Sequence, residues 1–210
     1  DLSEAVEAAR ENTRQCPTVH LIQADIFHPP LRDRSLDFVY SIGVLHHLPN
    51  PKEGFFRLAE LLAPGSPIFV WVYSRGRGRQ IAFVETLRAV STHLPYRLLN
   101  GLCLLCAALQ WVVWIAPYKL LMRLRPTQPL AQKLPFTFHA RYPFRALHTD
   151  WFDGLSTPQQ RYYRREEVAS WFREAGLERI TMEPTWGQQG GGGRGLGYAP
   201  TELTIESGVS

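Results

Sequence analysis

The sequence predicts an α/β fold: a doubly wound, mostly parallel sheet with a helical insertion after the third strand of the chain. Three observations carry this. Apolar strand-like runs alternate with a loop and an amphipathic helix through residue 74, each bounded by Pro, Gly or a capping residue. One run, Ile68 to Tyr73, is apolar throughout, as suits a parallel strand covered on both faces. The alternation then stops over 75–150 and resumes near Tyr163.

Taken in order, Ser3 is suited to cap a first helix, and Leu2, Ala5, Val6 and Ala9 follow helical spacing. Pro17 ends it. Thr18 to Ala24 reads as a buried strand ending at Asp25, and Leu36 to Ser41 as the next. Asn50, Pro51 and Glu53 form a helix start, and Phe55, Leu58, Ala59 and Leu62 make its buried stripe. Pro64-Gly65 leads into the third strand. Later, Val168, Trp171, Phe172 and Ala175 share a helix face with Gly176 as its stop, and Leu177 to Met182 is a further strand. The glycines from 190 to 197 read as a flexible loop before a last strand in TELTIES. The expected organisation is 1–74 as the sheet core, 75–150 as an apolar helical lid, and 151–210 as the return to the sheet.

Composition excludes several classes. With 210 residues, 45% hydrophobic and 20% charged, the chain is one ordinary domain rather than a disordered or fibrous one. A net charge of +4 is too small to argue for nucleic acid. Three cysteines, Cys16, Cys103 and Cys106, make no disulfide framework and suit a cytoplasmic, reducing setting. Cys103 and Cys106 form C-x-x-C within an apolar helix and read as buried thiols. Adjacent His46 and His47 do not share a helix face, and no third ligand is placed by motif, so no metal is expected.

In an open parallel sheet, ligands bind beyond the carboxyl ends of the strands. Those ends carry Asp25-Ile26, then Ser41-Ile42-Gly43-Val44-Leu45-His46, then Tyr73-Ser74-Arg75. Carboxylates there could accept ribose hydroxyls or an exocyclic amine, and Ile26 or Leu45 could pack on a purine. Taken alone, Asp1 and Asp25 read as simple helix-start or turn residues; it is within the ordered set of motifs that they point to cofactor binding.

The stretches ADIFHPPLRDRSLDFVYSIGVLHHLPNPKEGFFRLAELLAPGSPIFVWVY and YYRREEVASWFREAGLERI resemble class I S-adenosylmethionine-dependent methyltransferases of the ubiquinone/menaquinone-biosynthesis type. The resemblance covers roughly 1–74 and 162–182 and implies a Rossmann-like fold. It implies that Asp1, with Leu2, holds the cofactor ribose, that Asp25 and Ile26 meet the adenine, and that Ser41, Ile42, Leu45 and His46 line the methionine side. The family's glycine-rich loop would precede Asp1, so the chain is expected to be a fragment of a longer product. Ser66 replaces the second glycine of the family's Leu-x-Pro-Gly-Gly turn.

The expected activity is methyl transfer to a small hydrophobic or aromatic acceptor. Tyr73, His46 and His139 are the candidate bases, and Tyr73, Arg75 and His139 the candidate acceptor contacts. Alternatives are a non-catalytic binding domain of this fold and a membrane-peripheral protein acting through its apolar insertion; a nicotinamide-dependent oxidoreductase ranks below them. Residues 98–121 are nearly free of polar side chains and read as a buried helix over the site, with membrane contact next and a membrane span third. The aromatic stretch from Phe136 to Phe152 is expected to close the same pocket.

Overall fold

Proline, glycine and capping residues divide the chain much as the sequence requires. The computed structural model describes all residues except 1, 76–77, 136, 158, 184–191 and 202–210, together with the side chains of 78–81, 83 and 138. In chain order the elements are α1 (Ala5–Thr13), β1 (Val39–Ile42), α2 (Pro51–Glu60), β2 (Pro67–Tyr73), α3 (Gly78–Ser91) and α4 (Tyr96–Gln110). After a π turn at Trp111–Ile115 come α5 (Ala116–Leu121), α6 (Gln128–Ala131), α7 (Phe144–Ser156), α8 (Arg165–Glu174), β3 (Glu178–Met182) and β4 (Gly192–Tyr198). They form two units, Asp1–Gly76 with Arg161–Ser210, and Arg77–Gln160.

The first unit holds the sheet, in the order β1-β2-β4-β3. β1 and β2 pair in parallel, and β4 runs antiparallel to both β2 and β3. The fold is α/β, with a smaller parallel share than the alternation predicts. Nine residues separate the last two strands, fewer than a parallel crossover needs, and they meet antiparallel.

Ile68, Val70 and Val72 are fully buried on one face of β2, beneath α2 and α8. Phe55 of α2 meets Phe172 of α8 at 4.8 Å between ring centroids, and Trp171 packs on Tyr163. The stripe predicted for α8 is buried at Val168, Trp171 and Phe172. Gly176, at φ +70°, ends that helix. Its N–H donates to the carbonyl of Arg173, and the N–H of Leu177 donates to that of Phe172, the paired bonds of a left-handed helix stop. At the start of α2, Pro51 takes the first helical position and the Asn50 amide donates to the Glu53 carboxylate at 3.3 Å.

Two expectations are corrected. Thr18 to Ala24 joins no ladder: Thr18 is part of a turn, and Val19, Leu21 and Ile22 are exposed. A strand needs a neighbour to take its N–H and C=O groups, and none of the described strands lies beside it. The glycine-rich segment is not a loop: from Gly192 it is β4, between β2 and β3. Close approach explains its composition. A side chain at Gly192 would run into the Trp71 indole. One at Gly197 would lie 2.5 Å from Phe172, and one at Gly195 would lie 3.0 Å from both Phe172 and Met182. Apart from Thr201, TELTIES lies outside the described residues.

The second unit is helical. α4 packs against α7 through Leu99, Cys103 and Leu155, and Ala107, Ile115 and Leu147 form a second small core. The Trp151 indole N–H donates to Gln110 Oε1 at 2.9 Å, which satisfies the one frankly polar side chain in the middle of the apolar run. Arg88 Nε and Ser91 Oγ, both on α3, donate to the carbonyls of Gly154 and Leu155 at 3.0 and 2.8 Å. They thereby cap the carbonyl end of α7.

Candidate functional site

The sequence VYSIGVLHH changes from strand to turn at its glycine. Gly43 adopts φ +76°, which a side chain would strain, while its N–H still donates to the Trp71 carbonyl. A single 3₁₀ turn, Leu45–His47, follows, and it buries Leu45 and His46 completely. The carbonyl of His46 accepts the Arg161 N–H at 3.0 Å. Beyond β2, Tyr163 donates to the Tyr73 carbonyl and Arg75 donates to that of Tyr163, so 161–163 extends the edge of β2.

These bonds gather aromatic rings at the carboxyl end of the sheet. The His46 ring lies 4.1 Å from that of Tyr73 and 4.2 Å from that of His47. Trp71 is 5.3 Å from Tyr73, and Tyr162 stacks on Tyr73 at 5.9 Å. The Tyr73 backbone N–H donates to His46 Nδ1 at 3.4 Å. Nδ1 therefore accepts and Nε2 carries the proton. Burial, and next the charge of His47, pushes the His46 pKa down to about 3. A neutral ring whose Nδ1 is already engaged offers a site a hydrogen-bond donor, not a base.

His46 Nε2 and Ser41 Oγ are both buried and have no hydrogen-bond partner among the described residues. Orphaned polar groups at the end of a sheet are costly unless a ligand takes them up. The His46 N–H lies among the rings of Trp71 and Tyr73, whereas Ser41, opposite Val70, is on the other face of the sheet.

The remaining predicted residues fall into three places. Asp25 forms a turn: its Oδ1 accepts the Phe27 N–H at 3.0 Å, and Oδ2 lies 3.8 Å from His28 Nδ1. Ile26 is half-buried against the sheet core. Leu2 is exposed, and its carbonyl accepts from Gln23 Nε2 at 3.2 Å, which draws the chain after residue 1 beside the segment leading to Asp25. Asp1 lies outside the described residues. Ile42 is exposed on the open face of β1, and Arg75 is exposed just beyond β2. His139 belongs to the second unit, where its Nε2 pairs with Asp150. Sequence reasoning missed Tyr162; its place one residue before the resumed alternation was the available signal.

Among the described residues no group of three or more His, Cys, Asp or Glu could hold a metal. Burial pushes the Cys103 and Cys106 thiols above the ordinary cysteine range, away from nucleophilic thiolate character.

Residues 1–70 match a family model described as a methyltransferase domain. That segment is a third of the chain. No curated protein matches the chain. Among solved structures, a Thermotoga maritima S-adenosylmethionine-dependent methyltransferase superposes with a TM-score of 0.51 at 12% identity, covering 94% of this chain and 70% of its own. A Haloferax volcanii complex of a methyltransferase activator and a methyltransferase gives 0.50 at 15% identity, with coverages of 95% and 70%. A Bordetella parapertussis protein, described as a possible exported protein, gives 0.50 at 14% identity; this chain spans 52% of its length. At these identities the likeness shows the fold, which is Rossmann-like.

Proposed function

We propose that the first unit binds S-adenosylmethionine and serves methyl transfer to a small hydrophobic or aromatic acceptor. The observation that carries the reading is the pair of orphaned buried groups, Ser41 Oγ and His46 Nε2, at the carboxyl end of β1 within the segment that matches the methyltransferase domain. When bound, the cofactor supplies a methyl group activated by its sulfonium. Ser41 and His46 give it one hydroxyl and one N–H, with Ile42 and Leu45 as apolar neighbours. Asp1 and Leu2 meet the ribose, and Asp25 and Ile26 the adenine.

The chain's own contribution to rate is positioning and water exclusion by the rings of Trp71, Tyr73 and Tyr162. His46 acts by fixing the turn and donating through Nε2. Of the three candidate bases, Tyr73 is therefore the one in this unit left to orient or deprotonate an acceptor hydroxyl, with Arg75 as a further acceptor contact.

Calorimetric titration of S-adenosylhomocysteine tests the reading, using residues 1–210 and the same chain extended upstream by its own codons. Binding to either chain, weakened about tenfold by Ser41→Ala, is the expected result, since one hydrogen bond to a charged or polar ligand contributes about 1.4 kcal/mol. Two folded chains that bind nothing would remove the cofactor assignment and leave a non-catalytic domain of this fold.

A further inference from the structure

We infer that the second unit docks on the surface of an anionic lipid bilayer. This rests on observations separate from the methyl-transfer reading. The helical run Tyr96–Leu121 is 26 residues long and apolar enough to cross a membrane, yet only 28% of its most apolar window is buried. One stripe, Leu99, Cys103 and Ala107, packs inward. On the opposite side, Leu98, Leu105, Leu109 and Val112 follow at spacings of seven, four and three residues, and all are exposed, at 61, 56, 55 and 61%. A helix in water normally pairs one apolar stripe with a polar face. Here both faces are apolar. The π turn adds to this: one extra residue in the turn re-phases the helix, so Trp111, Val112 and Val113 face out while Ile115 is buried.

Charge says what covers the face. From Thr86 to Thr149 the sequence has eight Arg or Lys and no Asp or Glu, while the rest of the chain has 15 cations against 19 anions. Of the eight, only Arg88 is buried. Arg97, Lys119, Arg123, Arg125, Arg141 and Arg145 are exposed around the apolar run. Apolar side chains ringed by cations complement anionic headgroups over an acyl layer. Beside the π turn an apolar groove of about 490 Å³ lies between Trp111, Val112, Tyr142 and Phe144, with Lys119 in its lining. Indole and phenol rings beside a lysine suit the level of the headgroups.

The helix lies along the bilayer rather than across it. Its packing partner α7 carries Arg145, His148, Asp150 and Asp153, and a crossing helix would drag these into hydrocarbon.

Vesicle flotation of the whole chain tests this, using phosphatidylcholine alone and phosphatidylcholine with 30% phosphatidylglycerol. The chain is expected to float with the anionic vesicles, to bind neutral ones far less, and to lose binding as salt rises. Lys119→Gln with Arg123→Gln and Arg125→Gln should weaken partitioning about a hundredfold, at about fivefold per cation near the surface. Leu105→Gln with Leu109→Gln should weaken it too, with helix content unchanged by circular dichroism. Four outcomes overturn the inference: a folded chain that stays off all vesicles; equal binding to neutral and anionic vesicles; retention in the bilayer after alkaline carbonate, which means a span; and a soluble oligomer that the leucine substitutions dissociate, which means the face meets a second copy. None of these depends on binding of S-adenosylhomocysteine.

Discussion

Replacing His46 by asparagine should make the first unit less sensitive to acid. The folded ring is held at a pKa of about 3, first by burial and then by the charge of His47, against 6.5 for an unhindered imidazole. Below pH 6.5 the unfolded chain therefore takes up a proton that the folded chain refuses until about pH 3. The unfolded state binds more protons across that window, so stability falls as pH falls through it, by up to about 1.4 kcal/mol per pH unit. Between pH 7.5 and 5.0 the integrated loss from this one ring is about 2 kcal/mol. Asparagine does not titrate, and its carbonyl can take over the bond from the Tyr73 N–H. Urea unfolding of both proteins at the two pH values isolates the effect, because all other titrating groups cancel in the double difference. The variant is expected to start less stable at pH 7.5 and to close the gap by about 2 kcal/mol at pH 5.0. Parallel pH profiles would show that His46 titrates normally, and the neutral-donor role would fall with them.

Three further outcomes follow from the packing. Gly197→Ala puts a methyl 2.5 Å from the buried Phe172 ring and should lower stability by about 1–3 kcal/mol in urea unfolding, whereas Gly101→Ala, which meets nothing within 4 Å in α4, should raise it by about 0.5–1 kcal/mol. Ser41→Ala removes an orphaned buried hydroxyl, so thermal unfolding of the ligand-free chain should show stability unchanged or higher by up to about 1 kcal/mol. Arg88→Met leaves the Gly154 carbonyl without its donor and should lower the unfolding temperature of the helical unit, at a cost of about 1–3 kcal/mol; a variant as stable as the parent would mean the carbonyl end of α7 is satisfied otherwise.

Much of the first unit was legible from local chemistry. The Phe55 stripe, the Gly176 stop and the strand at Ile68 lie at the expected residues, but that strand fully buries only one face and is antiparallel to β4, not a parallel strand covered on both faces. What failed was non-local. Thr18 to Ala24 has strand composition, but pairing depends on a neighbour that composition does not describe. The segment from Gly192 has loop composition, and only the positions of Trp71 and Phe172 explain why it must lack side chains. For the candidate site, Ser41, Leu45 and His46 were named from their place after a strand. The protonation state of His46 was not legible, because it follows from a backbone N–H 27 residues away and from complete burial.

The glycine strand also bears on how the sheet finds its alignment. Most strands are held in register by side chains that seek the core. β4 has side chains on one face only, at Arg194, Leu196 and Tyr198, and its other face is a row of vacancies opposite Val70 and Ile68. Its alignment is set by exclusion: a one-residue slip would drive Leu196 into the space filled by Phe172. The rings of its neighbours act as a mould, and β4 is cast to their shape. A change of volume at Trp71, Phe172 or Met182 should therefore disturb the placement of a strand that none of those residues belongs to.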